Sequence, residues 1–122
     1  MRLLLTLCLG VATAAVQTAT WGGEHVRMQL TKGGAEVEFD CARGTITEGV
    51  PETDGAFSLK GTFTPERGGP TRDDRTRTVG ATYSGTITGD TMSLRIVLVR
   101  DDQEVAQYVL ARGSTGNVRK CR

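Results

Sequence analysis

The sequence predicts an all-β protein, a small antiparallel up-and-down β-barrel of about eight strands. Apolar and polar residues alternate with a period of two from residue 25 onward, and short turn-forming segments separate the alternating runs. A third observation is a Gly-Thr-apolar-Thr string that recurs at residues 44–47, 61–64 and 85–88. Glycine on the inward face of a strand lets a sheet bend tightly, which a closed barrel requires.

Each alternating run is expected to form a strand with one buried face. The run at 104–111 has apolar residues at both odd and even positions, so its buried face is not assigned. A short last strand is expected at 117–121. In the other runs the apolar or small residues share one parity, and they are Val26, Met28 and Leu30; Val37, Phe39 and Cys41; Gly44 and Ile46; Phe57, Leu59, Gly61 and Phe63; Val79, Ala81, Tyr83, Gly85 and Ile87; and Met92, Leu94, Ile96 and Leu98.

The connectors between these runs are short and rich in turn-forming residues. Hairpin turns are expected at residues 33–34, 53–55, 89–90, 101–102 and 114–116. Consecutive hairpins give a meander, and strands that each bury one face close economically into a barrel because closure removes the exposed edges. A two-sheet β-sandwich is the alternative, since the same pattern permits it.

Residues 1–20 are predicted to be a signal peptide with a short linker, and residues 21–122 a single barrel domain. Arg2 precedes an apolar run at residues 3–11, and small residues follow, with an A-x-A cleavage site at residues 12–14. The run is too short to cross a bilayer, which takes roughly 20 apolar residues, so no membrane span is expected in the mature chain. The protein is therefore expected to be exported, to the periplasm or the extracellular space.

The chain has 3 cysteines, and Cys8 lies in the predicted signal peptide, so two cysteines remain in the mature domain. In an exported domain this pair is most simply a disulfide between Cys41 and Cys121. The bond would stabilise the fold by about 4 to 5 kcal/mol in the chain-entropy model. Free thiols that bind metal or do redox chemistry are the weaker alternative, because the chain has no Cys-x-x-Cys motif and only one histidine. No cofactor and no metal are expected.

The charge of the chain is balanced. The 122 residues are 38% hydrophobic and 24% charged, with a formal charge of +1. Removing Arg2 from the 15 basic residues leaves 14, which equals the 14 acidic residues, so the mature domain is formally neutral. Nucleic acid is not an expected partner, since proteins that bind a polyanion normally concentrate basic charge on one face.

The barrel interior is expected to be filled by side chains. A barrel of eight short strands either is filled in this way or holds one small ligand. Small inward residues at 44, 61, 81 and 85 are expected to let larger neighbours such as Tyr83 pack closely against them. A filled core is therefore favoured over a hollow one.

Trp21 and His25 are candidate site residues near the start of the domain. His25 lies beside Glu24, and the functional interpretation is a general base or a ligand contact that works with a carboxylate such as Glu24 or Asp40. A plain strand-start residue is favoured over this, because no nucleophile motif or metal-ligand set accompanies the histidine. Trp21 is expected to plug the closed end of the barrel, with stacking against a ligand as the alternative.

The segment from Pro65 to Thr78 is the longest predicted connection. It carries four arginines against three acidic residues, and Arg67 and Arg72 are its candidate ligand contacts. One hypothesis is a rim loop whose arginines, together with Arg43, bind a carboxylate, phosphate or sulfated group at the barrel mouth. The alternative is a solvated hairpin tip whose charges mostly cancel.

Three strings of the chain resemble small exported bacterial β-barrel proteins: WGGEH at 21–25, EFDCARG at 38–44 and PERGGP at 65–70. The resemblance covers the mature chain and implies an exported barrel, but it implies no activity. In architecture the expected meander is more distantly similar to lipocalin-like barrels and to periplasmic inhibitors of C-type lysozymes. Fold likeness does not fix function, and a neutral domain with an arginine-rich loop does not suit a cationic target.

Three functional hypotheses follow. The first is an exported, non-enzymatic binding or interaction module that contacts a small or anionic ligand, or a protein partner, at the barrel rim. The second is a hydrolase or lyase that uses His25 with a nearby carboxylate. The third is a structural protein of the cell envelope, which would expose a large apolar patch or form an obligate oligomer. The first is favoured, and its candidate contacts are Trp21, His25, Arg43, Arg67 and Arg72.

Overall fold

The computed structural model describes residues 19–66 and 77–121, and in them eight antiparallel strands form a closed barrel. Neighbours in sequence pair throughout, and β1 also pairs with β8. This confirms the predicted up-and-down barrel, and the β-sandwich alternative is wrong. The predicted signal peptide lies almost entirely outside the described residues. The strands are β1 (Thr20–Gly23), β2 (Val26–Thr31), β3 (Gly34–Phe39), β4 (Ala42–Ile46), β5 (Gly55–Pro65), β6 (Val79–Thr88), β7 (Thr91–Leu98) and β8 (Gln103–Arg112).

The first and last strands differ from the sequence prediction. β1 lies ahead of the first predicted run, and His25 falls in the turn after it rather than at the start of a strand. The strand expected at 117–121 does not form: Asn117 makes an isolated parallel bridge with Glu24, and residues 118–121 have no strand pairing. β1 and β8 pair with each other, so they leave no open barrel edge for a further strand.

The buried face of β8, which the sequence left unassigned, is explained by an irregularity in its pairing with β7. Ile96 pairs with Ala106 and Val97 pairs with Glu104, so Val105 is the extra residue of a β-bulge. Beyond the bulge Leu110 is buried and Val109 faces outward. The bulge accounts for an apolar residue at the odd position 105, whereas Val109 and Ala111 are apolar residues on the exposed face.

Inward side chains fill the barrel, as expected. Trp21, Tyr83 and Met28 are the largest of the fully buried side chains. The Tyr83 ring packs against Gly44 and Gly61, where an added Cβ would collide with it. The Tyr83 hydroxyl donates a hydrogen bond of 2.6 Å to the Thr62 carbonyl. Small residues on the inward face therefore make room for one large aromatic ring.

The two ends of the barrel are built differently, and Arg112 closes one of them, which we call the Arg112 end. Its guanidinium lies 4.4 Å from the ring centroid of Trp21. The same group donates hydrogen bonds to the carbonyl oxygens of Gly89 and Glu52, at 3.0 and 3.3 Å, and to Asp90 Oδ1 at 3.2 Å. It thereby ties two connecting segments to a buried tryptophan, in agreement with the interpretation of Trp21 as part of a closed end.

The residues after β8, 113–121, form a C-terminal tail that runs along the outside of β1 toward the opposite end. The Gly113 N–H donates to the Thr20 carbonyl at 2.6 Å, and the Asn117 N–H donates to the Gly23 carbonyl at 3.0 Å. Arg27 Nε donates to the Thr115 carbonyl at 2.7 Å. The tail therefore reaches the end of the barrel where the β1–β2 and β3–β4 turns lie.

Candidate functional site

Charged side chains from four chain segments meet at the end opposite Arg112. We call this region the His25 rim, defined by residues 24–25, 40–43, 66 and 119–121. The disulfide between Cys41 and Cys121, with a Cα–Cα distance of 5.1 Å, joins the C-terminal tail to the β3–β4 turn there. The predicted pairing of these two cysteines is confirmed. The covalent bond fixes the tail as part of the rim.

Asp40 connects three segments of the His25 rim. Its Oδ2 atom lies 2.6 Å from His25 Nδ1, and its Oδ1 atom accepts a hydrogen bond of 2.8 Å from the Arg119 backbone N–H. The Arg119 N–H lowers the pKa of the Asp40 carboxyl; burial opposes this, and the hydrogen bond and charge of His25 add to the lowering. Asp40 is therefore an anion that holds the β1–β2 turn and the tail to its own turn.

His25 lies in the turn with a φ of 69°, a left-handed conformation that is uncommon outside glycine. Its backbone N–H donates to the Asn117 carbonyl at 2.8 Å, which helps to hold this conformation. Its Nε2 atom lies 3.8 Å from Glu24 Oε2, and 62% of the side chain is exposed. The ring is thus oriented by Asp40 and open to solvent.

Lys120 and Arg43 share the carboxylate of Glu66. Lys120 Nζ donates to Glu66 Oε1 at 2.6 Å and to the carbonyl oxygens of Phe39 and Ala42, at 3.1 and 3.0 Å. Arg43 Nη1 donates to Glu66 Oε2 at 3.1 Å, and 47% of the Arg43 side chain is exposed. Burial favours a higher pKa for Glu66, but the hydrogen bonds and charges of Lys120 and Arg43 outweigh it and lower that pKa. Among the described residues, two cations therefore share one carboxylate on this side of the rim.

Aromatic side chains pack at the same end of the barrel. The Phe39 ring centroid lies 5.5 Å from that of Phe63 and 5.4 Å from that of Tyr108. Burial, with the charge of Asp40 adding to it, raises the pKa of the Tyr108 hydroxyl. Phe63 and Tyr108 are partly buried and pack against the core. The polar rim is therefore backed by an apolar layer that fills this end of the barrel.

The structure brings some of the predicted site residues together and separates others. His25 and Arg43 both lie on the His25 rim, whereas Trp21 lies against Arg112 at the other end. Arg67 and Arg72 fall outside the described residues.

Lys120 and Arg119 were not among the site residues predicted from the sequence. Their positions one and two residues before Cys121 could have indicated them, since the predicted disulfide brings this segment close to Cys41. The backbone acceptors of Lys120 were not predictable from the chain alone. The carbonyl oxygens that Lys120 contacts carry no sequence signature.

Within 19–66 and 77–121, no group of three or more His, Cys, Asp and Glu side chains is placed to hold a metal ion. In the same ranges, no helix has the length and apolar character needed to cross a membrane.

Comparison with known proteins adds no further guide to the site. No protein-family model, curated protein or solved structure matches the chain.

Proposed function

We propose that the protein is an exported, non-enzymatic binding module that contacts a partner carrying an anionic group through its His25 rim. The observation that carries the proposal is the convergence of three ties at one end of the barrel: the Cys41–Cys121 disulfide, the two hydrogen bonds of Asp40, and the three of Lys120. Side chains held in place before binding lose little conformational entropy when a partner arrives. The disulfide also supports export, because such bonds persist in oxidising compartments.

The anionic group is assigned to the side of the rim that holds Arg43 and Lys120. Both cations contact Glu66, so in the described part of the chain this group of three side chains holds two positive charges and one negative charge. Lys120 directs its three donors at Glu66 and two carbonyl oxygens, whereas the half-exposed Arg43 hydrogen-bonds through Nη1 alone within the described residues. The remaining guanidinium donors suit a phosphate, sulfate or carboxylate.

Titration calorimetry of the mature chain with inorganic sulfate and phosphate tests this proposal. Arg43→Gln should weaken binding by at least about tenfold, because a hydrogen bond between charged groups contributes about 1.5 to 3 kcal/mol. Arg100→Gln is the matched control: Arg100 is exposed, pairs with an aspartate and lies in the β7–β8 connection. Equal affinity in the two variants, or no binding of either anion to the wild type, would overturn the proposal.

A second candidate is acid–base catalysis by His25, which the 2.6 Å contact with Asp40 favours. A carboxylate on Nδ1 orients the ring and leaves Nε2 free to exchange a proton. Both side-chain partners of the ring within the described residues are carboxylates, so the pair has no nucleophilic hydroxyl or thiol beside it. Hydrolysis of p-nitrophenyl acetate by the wild type, His25→Gln and Asp40→Asn tests this candidate; equal rates in all three proteins would exclude it.

A further inference from the structure

The outer face of β6, β7 and β8 carries a depression of about 550 Å³. Its side-chain lining includes Ser84, Ser93, Arg95, Gln107 and Val109. The depression lies along the middle of the strands, away from both ends of the barrel. Its volume falls within the range of about 300 to 1,000 Å³ that is typical of small-molecule sites.

Strand register explains why this surface is concave. Ser84, Arg95 and Gln107 are cross-strand neighbours in one row, and Ser93 pairs with Val109 in the next. Ser84 on β6 and Ser93 on β7 have short side chains, so a gap remains beside the longer side chains of Arg95, Gln107 and Val109. The depression is therefore built from regular strands rather than from a loop, and its walls are fixed by the barrel.

Glu104 neutralises the positive charge of Arg95 on this surface. Its two carboxylate oxygens lie 3.4 Å from Arg95 Nε and 3.0 Å from Gln107 Nε2. Because guanidinium and carboxylate balance, a second anion at Arg95 would be repelled by Glu104. The Gln107 side-chain oxygen, the serine hydroxyls and the other guanidinium donors supply hydrogen-bond donors and acceptors without net charge.

Val109 adds an apolar contact to the same surface. Its side chain is 67% exposed, so it is one of the exposed large hydrophobic residues of the described chain. A ligand that combines many hydroxyl groups with an apolar C–H face matches both the polar wall and this side chain. A purely apolar ligand would leave the polar wall without hydrogen-bond partners.

We infer that this depression binds a short neutral oligosaccharide, which gives the protein a second ligand site distinct from the His25 rim. The hydroxyl groups of the sugar hydrogen-bond to Ser84, Ser93, Arg95 and Gln107, and its C–H face packs on Val109. The depression and the His25 rim share no residues, so an experiment can disprove one binding site and leave the other standing.

Titration of the ¹⁵N-labelled mature chain with maltotriose, cellotriose and chitotriose tests the inference, with trigalacturonate as the charged arm. At least one neutral trisaccharide should produce saturable amide shifts at 84–85, 93–95 and 107–109. Gln107→Ala and Ser84→Leu should each weaken that binding about tenfold, the first by removing a hydrogen bond and the second by filling the gap. Thr45→Ala, an exposed change on β4, is the control and should leave affinity unchanged.

Thermal unfolding of each variant checks that the barrel is intact, and Ser84→Leu adds bulk on a solvent-facing strand position without removing core packing. Absence of saturable shifts with all three neutral trisaccharides would overturn the inference. Tighter binding of trigalacturonate than of any neutral sugar would also overturn it, because Glu104 is expected to repel the uronate groups.

Discussion

The Nδ1 atom of His25 lies 2.6 Å from the Oδ2 atom of Asp40. One residue belongs to the β1–β2 turn and the other to the β3–β4 turn, so the contact joins two hairpins of the barrel at one end. The second oxygen of Asp40 accepts the Arg119 N–H and brings in the C-terminal tail. Neutralising one carboxyl group would therefore weaken the attachment of three segments.

Acid is expected to destabilise the protein through Asp40. The Arg119 N–H is the main cause of the lowered pKa of this carboxyl, burial opposes it, and His25 contributes further lowering, so the folded-state pKa lies below the ordinary value of 3.8. A carboxyl with a lowered folded-state pKa stabilises the native state above its unfolded pKa, and this contribution is lost as the pH falls through the folded value. Thermal unfolding midpoints should therefore drop as the pH falls below 3.8.

Asp40→Asn is the matched variant for the acid measurement. It should be less stable than the wild type at neutral pH, because the amide cannot reproduce the charged hydrogen bonds. It should also lose less stability on acidification, since it lacks the titrating group. Parallel loss of stability in both proteins would contradict the assigned role of Asp40.

Removing the disulfide should destabilise the fold by about 4 kcal/mol, because the bond restricts a long loop in the unfolded chain. The variant Cys41→Ser/Cys121→Ser should show this loss in urea unfolding, and the reduced wild type should match it. Intact-mass measurement with and without reductant should differ by two hydrogens for this bond. A double variant within about 1 kcal/mol of the oxidised wild type would be incompatible with the expected contribution.

Gly44→Ala should destabilise the barrel by about 1 to 3 kcal/mol, as expected for overpacking of a filled core. A Cβ at this position would collide with the Tyr83 hydroxyl and approach the Thr62 carbonyl. Gly49→Ala is the control, since nothing lies within 4 Å of an added Cβ there. Urea unfolding should show no loss for Gly49→Ala, and a smaller cost of Gly44→Ala in a Tyr83→Phe background. Equal costs at positions 44 and 49 would refute the packing argument.

Arg112→Met should destabilise the protein by about 2 kcal/mol, because it removes a cation–π contact and charge-assisted hydrogen bonds. The single tryptophan of the chain, Trp21, reports on the change directly. Its fluorescence emission should shift to longer wavelength as the Arg112 end opens to water. Arg100→Met should leave both stability and emission unchanged, and an unchanged spectrum in Arg112→Met would argue against closure by Arg112.

The alternation of side chains predicted the strands, because inward residues such as Met28, Tyr83 and Ile96 recur with the strand period. The consecutive hairpins favoured closing those strands into a barrel. Local pattern could not predict the bulge at Val105, since one extra residue shifts parity without a distinctive side chain. It also placed Trp21 and His25 together, although the short β1 separates them between the two ends.

The candidate site was only partly predictable. His25 and Arg43 were nominated from their residue types, and Asp40 was named as a carboxylate within reach of His25. Lys120 was missed because its partners lie 54 to 81 residues away in sequence and two of them are backbone carbonyls. Such contacts depend on the path of the tail, which runs along β1 instead of forming the strand expected at 117–121.

Chemical-shift mapping of the ¹⁵N-labelled mature chain during titration with inorganic sulfate tests the proposed role of the His25 rim most directly. Saturable shifts confined to the amides of residues 40–43, 66 and 119–121, and abolished by Arg43→Gln, are the predicted result. Shifts that do not saturate, or that spread evenly over exposed arginines such as Arg100, would contradict a built anion-contact surface at the rim.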